Sequence, residues 1–185
     1  MSRALVLFAS HHGQTRAIAF HIAELMRARG VHVHLRDIAD EQPDPAHFDA
    51  VVVGSPVQLS KHDRRIGAWL AQHGATLTRL PGAFFSVSMS AASPRPDVRA
   101  KLDGIVADFL AESGWHPARV VKFAGALHYS RYGWLVRQIM RLISGSQGRP
   151  TDTRRDYEYT DWAQVDRFAH DMVASVPELG VAAAS

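Results

Sequence analysis

Unbroken apolar runs and amphipathic stretches alternate along this chain. Ala4–Phe8 is apolar at every position, the mark of a strand covered on both faces. After the polar loop Ser10–Gln14, Ile18, Ile22, Leu25 and Met26 recur at helical spacing, and Gly30 supplies a stop. Val31, Val33 and Leu35 alternate with His32, His34 and Arg36, which predicts a half-covered edge strand. Pro43 and Pro45 mark a loop, and Ala50–Val53 predicts a further buried strand ending at Gly54-Ser55-Pro56.

The second half keeps the rhythm. Ile66, Trp69 and Leu70 predict a short helix closed by Gly74, and Ala83–Val87 a strand after the Pro81-Gly82 turn. Pro94 and Pro96 bound a loop. Asp97 then reads as the cap of a helix carrying Val98, Leu102, Ile105, Val106, Phe109 and Leu110, with Gly114 at its end. Arg119–Ala124 is the fifth strand, and a last helix starts at Thr160-Asp161 and presents Trp162, Val165, Phe168, Met172 and Val173. Strands and helices in alternation predict an α/β fold, an open parallel sheet with helices on both faces. Ligands of such sheets bind beyond the carboxyl ends of the strands, where the strand order reverses. The segment from about 127 to 157 is too long for an ordinary connection. The expectation is therefore one domain over 1–176, an insert at about 127–157, and a tail over 177–185.

Composition narrows the chemistry. The 185 residues include no cysteine, which excludes disulfides, a thiolate nucleophile and Cys-ligated metal, so redox work falls to a bound cofactor. Eleven histidines form no H-E-x-x-H or comparable ligand pair, and no metal is expected. The opening apolar run is too short for a signal segment, and no run reaches the roughly 18–20 residues of a membrane span. A soluble, cytoplasmic protein is expected.

Charge is unevenly spread. Arg119, Lys122, Arg131, Arg137, Arg141, Arg149, Arg154 and Arg155 share their stretch with one acid, Asp152. That stretch carries +7 in a chain of net +3. It is either a solvated basic face or a surface for an anionic partner such as phospholipid, nucleic acid or a polyanionic substrate. No recognisable nucleic-acid motif accompanies it.

The loop Ser10-His11-His12-Gly13-Gln14-Thr15 runs into a helix N-terminus. Hydroxyls at both ends, a glycine that allows close backbone approach and first-turn amides suit a phosphate. An ordinary strand-to-helix turn is the other reading. No phosphate-loop lysine follows it and no G-x-G-x-x-G occurs, which weighs against triphosphate hydrolysis and a dinucleotide fingerprint.

Val6 to Thr15 resembles the flavodoxin signature, in which this loop holds the phosphate of flavin mononucleotide (FMN). The resemblance implies a flavodoxin-like, five-stranded parallel sheet of order 2-1-3-4-5 with FMN as cofactor. By position, the ring would be lined by the loops after strands three and four, Gly54–Asp63 and Ser86–Ser93. Candidate cofactor contacts are accordingly Ser10, His11, His12, Gly13, Gln14 and Thr15 for the phosphate, with Ser55, Pro56, Val57, Gln58, Ser86, Val87, Ser88 and Met89 at the ring. Electron-carrying flavodoxins are acidic and sandwich the ring with aromatic side chains. Here Val57-Gln58-Leu59-Ser60 and Ser86-Val87-Ser88-Met89 carry no aromatic residue, and the sequence pI is near 9.6.

A second resemblance lies in Ala124–Tyr132, Thr151–Arg154 and Tyr159–Trp162, together with Ala83–Val87 and Trp115–Pro117. These are similar to the bacterial quinone-dependent protoporphyrinogen oxidases of flavodoxin-like type. The resemblance implies an enzyme of haem biosynthesis with a porphyrinogen substrate and menaquinone or ubiquinone as acceptor. Arg131, Arg154 and Arg155 are then candidate partners of the substrate's propionates, since Arg pairs carboxylates bidentately. No general base stands out; His128 and Tyr129 are candidates.

Within the insert, Trp134, Leu135, Val136, Ile139, Met140, Leu142 and Ile143 stand opposite Arg137, Gln138 and Arg141. Such a helix either packs its stripe on the domain or lies in a membrane interface with Tyr132 and Trp134 near the headgroups. The resemblance implies the second, hence peripheral contact with the cytoplasmic face of the inner membrane. A homo-oligomer is compatible with the same residues. A flavodoxin-like electron carrier and an NAD(P)H:quinone reductase are the alternative functions.

Overall fold

The computed structural model describes residues 2–127 and 157–177. Their main elements, in chain order, are β1 (Arg3–Phe8), α1 (Gln14–Ala28), β2 (His32–Asp37), β3 (Ala50–Gln58), β4 (Lys61–His62), α2 (Arg64–Leu77), β5 (Gly82–Ser88), α3 (Pro96–Ser113), β6 (Arg119–Ala124), β7 (Ala126–Leu127), β8 (Tyr157–Glu158) and α4 (Trp162–Ser175). The parallel sheet has the order β2-β1-β3-β5-β6, with β4 paired antiparallel to the end of β3. Counting only the parallel strands, this is the 2-1-3-4-5 order that the sequence implies.

The continuous apolar runs become the central strands because both faces of the sheet are covered. On one face, Val6, Phe8, Val52, Phe85 and Phe123 pack with α1 and α4. On the other, Leu5, Leu7, Val51, Val53 and Phe84 pack with α2 and α3. The alternating pattern of β2 becomes an edge strand, with Val33 buried and His32 and Arg36 exposed. Gly114, at φ 68, closes α3 as its spacing predicts, and Asp161 caps α4 by accepting a hydrogen bond from the Gln164 amide.

Three local expectations need correction. Strand β3 does not stop at Gly54-Ser55-Pro56, because Val57 and Gln58 pair with His62 and Lys61 in a hairpin. Helix α2 runs through Gly74 to Leu77, whose fully buried side chain anchors the extra turn. Asp97 is not the cap of α3. Pro96 takes the first helical position, where its missing N–H is no loss, and Asp97 forks onto Arg95 instead.

Gly54 lies beside Phe85, its register partner on the adjacent strand β5, whose ring covers it. A Cβ there would lie 2.1 Å from Phe85 Cζ.

Candidate functional site

The strand order reverses between β1 and β3, since the chain leaves β1 for β2 on one side and reaches β3 on the other. A crevice follows at their carboxyl ends, and the Ala9 amide donating to the Gly54 carbonyl at 3.0 Å closes its floor. The loop Ser10–Gly13 and the β3–β4 hairpin stand side by side at this end of the sheet.

Gly13 holds φ 94, ψ −20 at the start of α1, a conformation that favours glycine, and no side chain caps the helix at that residue. Ser10 Oγ accepts from the amides of Gly13 at 3.1 Å and Arg16 at 3.4 Å. The buried Thr15 lies between them in the first turn. A short hydroxyl, a left-handed glycine and an uncapped helix start are the kind of backbone arrangement that can receive an anion.

The Gln14 side chain reaches inward rather than to the crevice. Its Nε2 donates to Thr160 Oγ1 at 2.8 Å, and Thr160 Oγ1 donates to the Ala124 carbonyl at 2.8 Å. This ties the loop to the end of β6 and to the approach to α4.

Both histidines of the loop reach across, His12 to the hairpin and His11 to the cap residue of α2. His12 Nε2 lies 2.9 Å from Gln58 Nε2, and His11 Nε2 lies 3.1 Å from Asp63 Oδ2. Asp63 also receives a fork from Arg65, caps α2 by accepting from the Arg65 amide at 2.9 Å, and donates its own amide to Ser55 Oγ. The Arg65 contact holds the Asp63 carboxyl below the usual carboxylate range.

The hairpin turns at Leu59 and Ser60, with φ 47 and φ 61. Two successive left-handed residues make the tight two-residue turn that normally selects Asn-Gly. Leu59 stands 98% exposed at its tip. Beneath it His62 is buried, edge-on to Phe84 at 5.3 Å and tilted on Phe109 at 4.6 Å. Desolvation lowers its pKa to about 4, against a smaller upward pull from the backbone of Pro56 and Ser55.

At the end of β5, Ser86 aligns with Ser55 of β3, and its buried hydroxyl has no partner among the described residues. Ser88 Oγ accepts from the Ala91 amide and starts a short 3-10 turn, Met89–Ala92.

A family model described as Flavodoxin domain matches residues 5–154. The chain belongs to the flavodoxin domain family. Among curated flavodoxin-type relatives, the protoporphyrinogen IX dehydrogenase [quinone] of Escherichia coli K12 is 33% identical over 92% of this chain and 94% of its own length. The protein of the same description from Leishmania major is 32% identical over 93% of this chain and 75% of its own length. This chain therefore groups with those dehydrogenases within the flavodoxin domain family. Oxidised flavodoxin 1 from Bacillus cereus superposes with a TM-score of 0.56 at 20% identity, covering 93% of this chain and 97% of the flavodoxin, a likeness of fold.

The fold places the cofactor candidates drawn from sequence at the ends of three adjacent strands: Ser10–Gly13 in the loop after β1, with Gln14 and Thr15 opening α1 and the Gln14 side chain turned away, Ser55–Gln58 at the end of β3, and Ser86–Met89 at the end of β5. Tyr129, Arg131, Tyr132, Trp134, Arg137, Arg141, Arg154 and Arg155, and also His128, lie outside the described residues. Sequence reasoning missed Asp63, although an Asp directly before a helical period is a cap signal. It also missed the inward role of Gln14, which carries no local signature because its partner is 146 residues away.

Proposed function

We propose that this protein binds FMN and oxidises protoporphyrinogen IX to protoporphyrin IX, passing the electrons to a respiratory quinone. The observation that carries the reading is the 33% identity to the E. coli dehydrogenase across almost the whole of both chains. The crevice residues fit the cofactor: a phosphate cradle at Ser10–Thr15 and, two strands away, the unpartnered Ser86 hydroxyl. When bound, FMN supplies the hydride acceptor and the relay of electrons to quinone.

The chain's own residues position and admit. Ser10, Gly13 and Thr15 would hold the phosphate through backbone amides and hydroxyls. The ends of β3 and β5, at Ser55–Gln58 and Ser86–Met89, would flank the ring. No aromatic side chain stands in either stretch to cover the ring, which would leave room for a bulky substrate. The finer elements of the reading are peripheral contact with the cytoplasmic face of the inner membrane, through the basic segment, and either menaquinone or ubiquinone as acceptor.

The experiment is anaerobic. Holoprotein is mixed with protoporphyrinogen IX and a water-soluble menaquinone analogue, and porphyrin fluorescence is followed against the uncatalysed rate. A catalysed rise supports the reading. No rise, together with rapid flavin reduction by NADPH, overturns it in favour of an NAD(P)H:quinone reductase.

A further inference from the structure

Three features meet at the β3–β4 hairpin. Its tip is held in a backbone conformation that favours other residue types, and it offers a large apolar side chain, Leu59, almost entirely to solvent. The two cations that follow, Lys61 and Arg64, are exposed and have no carboxylate partner among the described residues. Other cations near the strand ends are neutralised, Arg16 by Asp37, Arg65 by Asp63 and Arg95 by Asp97.

The register of the hairpin fixes where Lys61 stands. Val57 and His62 form one cross-strand pair and face the core beside Phe84, while Gln58 and Lys61 form the other. Paired residues share a face. Gln58 touches His12 of the phosphate loop, so Lys61 rises from the face that looks across the crevice. An apolar tip with unneutralised cations beside it matches a molecule that is a broad apolar ring with carboxylates at one edge.

We propose that the hairpin is a substrate-recognition element: Lys61 and Arg64 pair the propionate carboxylates of the tetrapyrrole, and Leu59 contacts its macrocycle. This rests on the function proposed above and names the described residues that would select its substrate. Each cation acts through a charge-assisted hydrogen bond to a carboxylate, and two together prefer a dicarboxylate over its ester.

The test titrates holoprotein with protoporphyrin IX and with its dimethyl ester, for wild type, Lys61→Gln, Arg64→Gln and Leu59→Ser. Flavin content reports that each variant is folded. The expected result is a loss of protoporphyrin IX affinity of roughly tenfold per cation removed, with the same increase in KM for the porphyrinogen, while ester binding stays at the wild-type level. Leu59→Ser weakens acid and ester alike. If wild type binds neither porphyrin, the function proposed above fails and the inference with it. If wild type binds protoporphyrin IX and the cation variants bind it equally well, the hairpin inference alone fails. It also fails if Lys61→Gln weakens FMN but not riboflavin, because the cation then serves the cofactor phosphate.

Discussion

His11 sets its Nε2 3.1 Å from Asp63 Oδ2, so a loop that follows β1 is fastened to the first turn of α2. The contact joins residues 52 positions apart through one carboxylate that also caps a helix and binds Arg65. Asp63→Ala removes all of these together. It should lower stability at pH 7 by about 1–2 kcal/mol, read as a shift in urea midpoint, whereas Asp63→Asn keeps the cap and should lose less. The Asp63 carboxyl titrates below its ordinary range in the folded state. Its contribution is therefore present above about pH 4 and fades as pH falls through the lower folded value, where the Asp63→Ala penalty should shrink.

His62 also makes acid destabilising, but in a higher pH range. Its folded pKa is about 4, well under that of a free imidazole, so on acidification the unfolded chain takes up a proton before the folded one does. Stability should fall from about pH 6.5 towards pH 4, by up to about 3 kcal/mol for this group. His62→Phe keeps a ring against Phe84 and Phe109 and removes the titration. Urea unfolding at pH 7 and pH 4.5 should show a smaller acid loss for the variant; equal losses would count against a buried neutral imidazole.

Gly54→Ala should be one of the most damaging single-methyl additions in the sheet. The new Cβ meets the Phe85 ring at 2.1 Å, and that ring is held by Phe123 and Phe168 at centroid distances of 5.7 and 6.2 Å. Overpacking of this kind costs about 1–3 kcal/mol, and thermal unfolding of the variant measures it.

Gly13→Val tests the phosphate cradle. A β-branched residue at φ 94 is strained and distorts the start of α1, so the purified variant should be colourless while its far-ultraviolet circular dichroism matches wild type. Full flavin retention would remove the cradle from the proposed function.

What the sequence displayed and what it hid divide along physical lines. Ala4–Phe8 and Ala83–Val87 were legible because strands covered on both faces need uninterrupted apolar residues. Gly114 was legible because a helix end in the left-handed region favours glycine. The β3–β4 hairpin was not, since Leu59-Ser60 carries none of the residues its backbone prefers; the pairing of Val57 with His62 imposes the turn from outside. Gly74 reads as a stop, yet burial of Leu77 overrides its weak helix propensity. Of the site, the glycine-started turn from Ser10 into α1 could be read locally. The fastening of His11 to Asp63 and of Gln14 to Thr160 could not, because both exist only after the strands have been ordered.

The short pair β7–β8 gives the fold a neck. Ala126 faces Glu158 and Leu127 faces Tyr157, while the Tyr159 amide donates to the Gly125 carbonyl just below. The chain thus departs from the sheet and comes back to it within one ladder rung, and Thr160 locks the return onto Ala124. Ala126–Leu127 and Tyr157–Glu158 are thereby held side by side. The sheet is in this sense clasped at its β6 edge by one short antiparallel pair and one hydroxyl.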